Sequence, residues 1–423
     1  MRRFLTATGL LLLCTGQAAA LDITLGVRNE STHTSNSART ADDEVDEWIH
    51  QPGAELFVEH QSQRLVVNGN YDYQRQYRTE DLFDDESIFV GSSNVIWHAI
   101  PGRLDFTVSN VRTQTTVQAQ LAQNPDNRQV SMSTRAGPTL RFRVRGVDEL
   151  QLQFLYTDED NEVQATEATR ETGTVAYVWN PGNNDRVTFS ALNNSVDFEN
   201  ELAPDYEGYT SSVQWERFGP SVDVRMLAGH TKIERDLGRD DLTNTDAQLG
   251  LTWRMTPTMS LNLEAARDLR DRSATLDFGV LDFGTNTQID SQLNEVFFNT
   301  RAVLSLETRL WDNRITLGAS YDEEDYEDIP NDLERNAVQL TFERRLSPRF
   351  DLLLAGFAGE EQFIDAGTTF DRLSYEVALR YNPNRRLSML FGAAHDERES
   401  DETPDQNFEE DTYGVTIQYL LIE

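Results

Sequence analysis

The chain has 423 residues and a formal net charge of -35 at pH 7, with one lysine, Lys232, and one cysteine, Cys14. So large an acid excess excludes a nucleic-acid binder, because the chain and a phosphate backbone would repel each other. No stretch after residue 20 approaches 18 consecutive apolar residues, so no membrane-spanning helix is expected.

The N-terminus reads as a secretory signal. Arg2 and Arg3 precede the apolar stretch Phe4 to Leu13, and Ala18-Ala19-Ala20 offers small residues for cleavage. Cleavage after Ala20 divides the chain into a signal peptide, 1–20, and one domain, 21–423. The mature domain then contains no cysteine, which excludes disulfides, thiol catalysis and Cys-ligated zinc.

From Leu21 onward apolar and polar residues alternate in runs broken by turn residues. Leu21, Ile23, Leu25 and Val27 share one face of the first run, and Leu65, Val67, Gly69, Tyr71 and Tyr73 share one face of a later one. Period-2 matching predicts twenty strands: 21–29, 54–61, 64–77, 87–98, 103–112, 129–144, 149–158, 169–179, 185–196 and 206–217, followed by 220–232, 244–255, 258–269, 294–308, 313–322, 335–345, 349–359, 372–381, 386–396 and 411–421. Many reach ten residues, the length a tilted membrane strand needs. Gly137-Pro138 interrupts the run 129–144 and predicts a bulge or a break, since proline cannot donate to a ladder.

The connections sort by parity. One set is short and carries proline, as in Ile100-Pro101-Gly102, Asn180-Pro181-Gly182, Phe218-Gly219-Pro220, Thr256-Pro257-Thr258, Ser347-Pro348-Arg349 and Asn382-Pro383-Asn384. The other is longer and acidic, with loops expected at Asp81 to Glu86, Asp158 to Glu162, Asp322 to Glu334 and Asp396 to Asp411. Trp97, Trp179, Trp215 and Trp253 each precede a short turn on the apolar face, as an interfacial aromatic girdle requires. Thr412, Gly414, Ile417 and Tyr419 match the spacing of a terminal strand read by barrel-assembly machinery, although the chain ends at Glu423 and not on an aromatic. The expected fold class is all-β: a transmembrane antiparallel up-and-down β-barrel of about 20 strands (18–22) in the cell outer membrane, with periplasmic termini.

Nothing in the motifs points to an enzyme or a cofactor. His33, His50, His60, His98, His230 and His395 form no metal-ligand spacing, and His230 and His395 fall on the lipid side. The wet face carries Arg135, Arg141, Arg143, Arg225, Arg254, Arg301 and Arg380 with Asp223, Asp246, Glu264, Glu307 and Glu376. Charge at so many inward positions implies a watery or ion-paired interior, since isolated charge in a dry core is prohibitive. These twelve are the candidate pore-lining residues. Leu276-Asp277-Phe278-Gly279 nearly repeats as Leu281-Asp282-Phe283-Gly284 in a long apolar loop, which either narrows the lumen or packs on the rim, the rim being the plainer reading. Acidic runs such as Asp322-Glu323-Glu324-Asp325 are either simply solvated or bridged by divalent cations to lipopolysaccharide.

Two hairpins carry a resemblance. Arg345-Leu346-Ser347-Pro348-Arg349-Phe350-Asp351-Leu352 runs on to Gly356, and Asn384-Arg385-Arg386-Leu387-Ser388-Met389-Leu390-Phe391-Gly392 follows the same plan of arginine-bearing turn, strand and glycine. With Thr34-Ser35-Asn36 after the first strand, these resemble the outer-membrane β-barrel porin family found alongside exopolysaccharide and exosortase-type gene sets. The resemblance implies a channel accompanying polysaccharide production or export, with no catalytic residues. A general diffusion porin for small solutes and a plugged structural or surface-interaction barrel are the alternatives. The partners expected are outer-membrane lipid and lipopolysaccharide, a polysaccharide chain or small solutes, and the assembly machinery during insertion.

Overall fold

The computed structural model describes residues 21–422 except 42–43, 81, 119, 123, 162–166, 200–203, 237, 272–295 and 328–329. Residues 1–20, expected to be a signal peptide, and the Leu276–Gly284 repeat lie outside the described residues.

Twenty strands follow one another around a ring. The first ten are β1 (Asp22–Thr34), β2 (Glu47–Gln61), β3 (Leu65–Arg75, resumed after Gln76 by Tyr77–Arg78), β4 (Ser87–Ile100), β5 (Leu104–Thr116), β6 (Arg128–Arg145), β7 (Asp148–Asn161), β8 (Ala168–Trp179), β9 (Asp185–Phe198) and β10 (Tyr206–Phe218). The second ten are β11 (Val222–Arg235), β12 (Leu242–Thr256), β13 (Met259–Asp271), β14 (Val296–Leu310), β15 (Asn313–Tyr326), β16 (Leu333–Ser347), β17 (Phe350–Phe363), β18 (Thr368–Tyr381), β19 (Leu387–Glu399) and β20 (Phe408–Ile422). Each pairs antiparallel with the next. β20 pairs with β1 from Leu25↔Ile422 to Thr34↔Thr412, which closes the sheet. Closure leaves no edge with unpaired N–H and C=O groups, a condition for crossing lipid.

Nine connections of two to five residues lie at one end, among them 101–103, 146–147 and 348–349, together with the start of β1 and the end of β20. The opposite end carries longer ones such as 35–46, 117–127 and 400–407. Two of the four two-residue turns adopt left-handed backbone, at Gly146 (φ 47°) and at Trp311 (φ 55°), which projects almost fully exposed.

The two faces separate by register. Trp97 pairs with Phe106, Val187 with both Trp179 and Trp215, and Val222 with Trp253, forming an apolar row near the short turns. Tyr209, Tyr375 and Tyr413 lie six residues along their strands from Trp215, Tyr381 and Tyr419, about 20 Å away, and mark the other border of the apolar band. Trp253 and Tyr419 are 44% and 40% exposed, so these residues form an outer surface and not the middle layer of a sandwich.

Two expectations change. β6 is one strand without a bulge at Gly137-Pro138: the pairing with β7 lapses between Ala136↔Tyr156 and Thr139↔Gln153 and resumes in the same register, while Pro138 still faces Phe106 on β5. A side chain at Gly137 would collide with the Phe154 carbonyl at 1.9 Å, so glycine is required where β7 crosses closest. The runs Asp158 to Asn161, Asp322 to Asp325 and Asp396 to Glu399 are strand and not loop. The strands outrun the apolar band, and alternation sends every second carboxylate inward, where arginines neutralise it.

Candidate functional site

The polar face encloses the lumen, and ladder pairing places all twelve candidates on it. In the half near the short turns Glu264 sits between Arg225, at 3.7 Å, and Arg301, at 4.0 Å. Arg254 pairs with Asp223, and Glu307 with Arg309 and Arg314 at 3.1 Å each. Arg141 pairs with Asp105, which also bonds His98 Nδ1 at 2.6 Å, and approaches Glu149 at 3.7 Å. Arg143, Arg380 and Glu376 make no ion pair with a described residue. Between the charges lie hydroxyl pairs, Ser190–Ser212 at 2.7 Å and Thr210–Thr231 at 2.9 Å.

Toward the long-loop end the same face is buried. Arg335 donates to Glu361 at 2.9 Å and to Asp322 and Glu324 at 3.3 Å. Arg39 joins Glu410, at 2.8 Å, to Asp396, at 3.3 Å. Glu47 and Arg78 pair with side chains 0% and 4% exposed, and Gln76 accepts from Arg78 and Arg128 at 3.3 Å each. Asp246 belongs to this region: it is buried, held by Thr231 and Asn244, and does not face open lumen.

Two elements narrow this mouth. The β12–β13 ladder ends at Ala247↔Arg267, but β13–β14 pairing continues to Asp271↔Val296 and β12 continues beside β11 to Leu242. Leu269 and Val296 have the parity of the lipid-facing Leu261 and Leu263. They nevertheless pack with Ala168, Val196, Phe198, Tyr206, Ile233 and Leu242 on the inner side of β8–β12. The described ends of these two strands, Leu269 to Asp271 and Val296, have therefore passed inside the wall. Arg170 pins the end of β13, donating to both Asp271 oxygens at 2.8 Å and to Tyr206 Oη at 3.2 Å, while Tyr206 donates to Asp271. The second element is the 117–127 connection. The Asn127 amide donates to the carbonyls of Gln118, Leu121 and Ala122 at 2.9, 3.2 and 3.0 Å, and the Gln120 carbonyl accepts from Arg398 of β19 at 2.8 Å. β19 lies six strands from β5 around the ring, so the connection reaches across the opening.

No protein-family model and no curated protein matches the chain. Solved structures do. The FrpB iron transporter from Neisseria meningitidis (F5-1 variant) matches with a TM-score of 0.50 at 8% identity, over 94% of this chain and 83% of that one. OccK2 (OpdF) of Pseudomonas aeruginosa matches with a TM-score of 0.41 at 10% identity, over 95% and 98%. The siderophore receptor PirA of Pseudomonas aeruginosa matches with a TM-score of 0.47 at 10% identity, over 94% and 80%. At these identities the likeness is one of fold. The chain is a transmembrane β-barrel of the outer-membrane type. In this barrel the lipid-facing histidines are also where the alternation puts them: His395 stacks on Tyr375 at 4.8 Å and bonds Asp411 at 2.9 Å. The residues that sequence reasoning missed are those of the mouth, namely Arg39, Arg78, Arg128, Arg170, Arg335, Arg372 and Arg398. Extending the alternation through the acidic runs would have placed several of them on the inner face.

Proposed function

We propose that the barrel is a passive outer-membrane channel for hydrophilic solutes, and that its cargo is a hydroxyl-rich exopolysaccharide chain leaving the cell. The observation that carries the channel reading is the periplasmic half of the lumen, where the side chains of Arg225, Arg254, Arg309 and Arg314 are 45–66% exposed. Charges held this way need water beside them. Twenty strands at about 4.8 Å spacing, tilted by roughly 40°, give a backbone-to-backbone diameter on the order of 40 Å, more than side chains alone fill. The cargo reading is supported by the sequence resemblance and by the serine and threonine hydroxyls between the charges, which can exchange hydrogen bonds with sugar hydroxyls. Apart from the buried Asp246, the candidate residues act here as a wetted wall and not as a set of tight binding groups.

A closed structural barrel is the second reading, and the buried mouth favours it. Planar-bilayer recording separates the two. The channel reading expects discrete conductance steps from the native barrel and larger ones from Asn127→Ala, which unfastens the connection spanning the mouth. Silence from both forms would overturn it. Gene deletion with polysaccharide assayed in the medium tests the cargo, and undiminished secretion would overturn that part alone.

A further inference from the structure

Two arginines at the mouth lack the counter-charge that their neighbours have. Arg372 of β18 and Arg398 of β19 stand directly opposite each other in the ladder, on the inner face. Arg398 is 1% exposed, and its guanidinium carbon lies 3.5 Å from the centre of the Phe370 ring. Its acceptor is the Gln120 carbonyl, and its Nε and Nη1 have no hydrogen-bond partner among the described residues; the same holds for Nε of Arg372. Neither arginine forms an ion pair with a described carboxylate. Of the acids close by, Asp396 pairs with Arg39 at 3.3 Å, and Glu361 gives Oε1 to Arg335 at 2.9 Å while its Oε2 has no hydrogen-bond partner among the described residues and stays beyond ion-pair distance of both arginines. Acid is not scarce in a chain with 72 acidic and 37 basic residues.

Like charges directly opposite on neighbouring strands destabilise a sheet, and a buried cation without a counter-charge does so more strongly. The arrangement is accounted for if a ligand supplies the missing charge. Free N–H groups on two arginines that face each other across one ladder suit an oxyanion, which accepts from both in charge-assisted bonds.

We propose that Arg372 and Arg398 form an anion-binding subsite at the extracellular mouth, taking a carboxylate or phosphate carried by the permeating chain. The subsite rests on the channel reading for the route by which its ligand arrives, and it makes the cargo an acidic glycan and not a neutral one.

Calorimetric titration of the full-length barrel in detergent tests this with three probes: trigalacturonate, inorganic phosphate and neutral maltotriose. Tighter binding of trigalacturonate or of phosphate than of maltotriose is expected, and the stronger of the two identifies the anion. Arg372→Glu places a carboxylate opposite Arg398, so anion binding should weaken at least tenfold while the thermal unfolding temperature rises. That rise separates a lost site from a damaged fold. Equal binding of all three probes, or undiminished anion binding by both Arg372→Glu and Arg398→Gln, would overturn the subsite. A barrel that binds the anion and yet never conducts upholds the subsite and overturns the channel reading instead.

Discussion

Arg225 and Arg170 are both arginines on the inner face of the barrel, yet they do different work. Arg225, in the half near the short turns, has a side chain 52% exposed and meets Glu264 at 3.7 Å through water-accessible space. Arg170, at the mouth, is buried and spends its guanidinium on Asp271 and Tyr206, holding the end of β13 inside the wall. The difference is hydration. Where water reaches both partners, the attraction is screened and the pair tunes the potential of the lumen; where water is excluded, the same residue types become structural.

The largest effect that tests this contrast is Arg170→Ala. It leaves Asp271 buried without its cation, and a loss of about 3–5 kcal/mol in denaturant unfolding is expected. A loss no larger than that of an exposed pair would erase the distinction between the two regions. Arg225→Ala should cost no more than about 1 kcal/mol. Its effect should show instead as a shift of the reversal potential toward cation selectivity in a salt gradient, because Glu264 loses a neutralising neighbour; an unmoved potential would mean that the half near the short turns does not shape permeation.

The smallest effect sharpens the comparison outside the membrane, in the loop beside β8. A shared hydrogen bond and the nearby charge of Glu199 hold the Glu167 carboxyl above the usual glutamate range. A raised carboxyl pKa stabilises the fold below the ordinary glutamate value, and that contribution is lost as pH rises through the raised value. Glu199→Gln should therefore raise the unfolding temperature slightly at pH 7 and leave it unchanged at pH 4. An equal gain at both pH values would show that charge is not the cause.

Much of this architecture is written in local pattern. The alternation of Leu65, Val67 and Tyr71 with polar neighbours sets which side of β3 meets lipid, and the prolines at 101, 181, 220, 257, 348 and 383 mark one end of the barrel. Trp311, in a short turn without proline, belongs to the same end and was not legible by that rule. Strand length was underestimated wherever acid runs such as Asp322-Glu323-Glu324-Asp325 read as loop. Composition there resembles a solvated segment, and only the arginine on the next strand, Arg335, explains why alternate carboxylates turn inward.

The sequence by itself determined the strands, their two faces, the alternation of short and long connections, and hence a closed sheet with its polar side inward. These follow from a period of two residues and from turn chemistry, which act over a few positions. Tertiary structure alone decided that Asp246 is buried while Glu264 is wet, that Asp271 reaches Arg170, and that Gln120 meets Arg398. Those contacts join residues up to 278 positions apart, and they depend on how far each strand outruns the membrane and which loop bends across the opening.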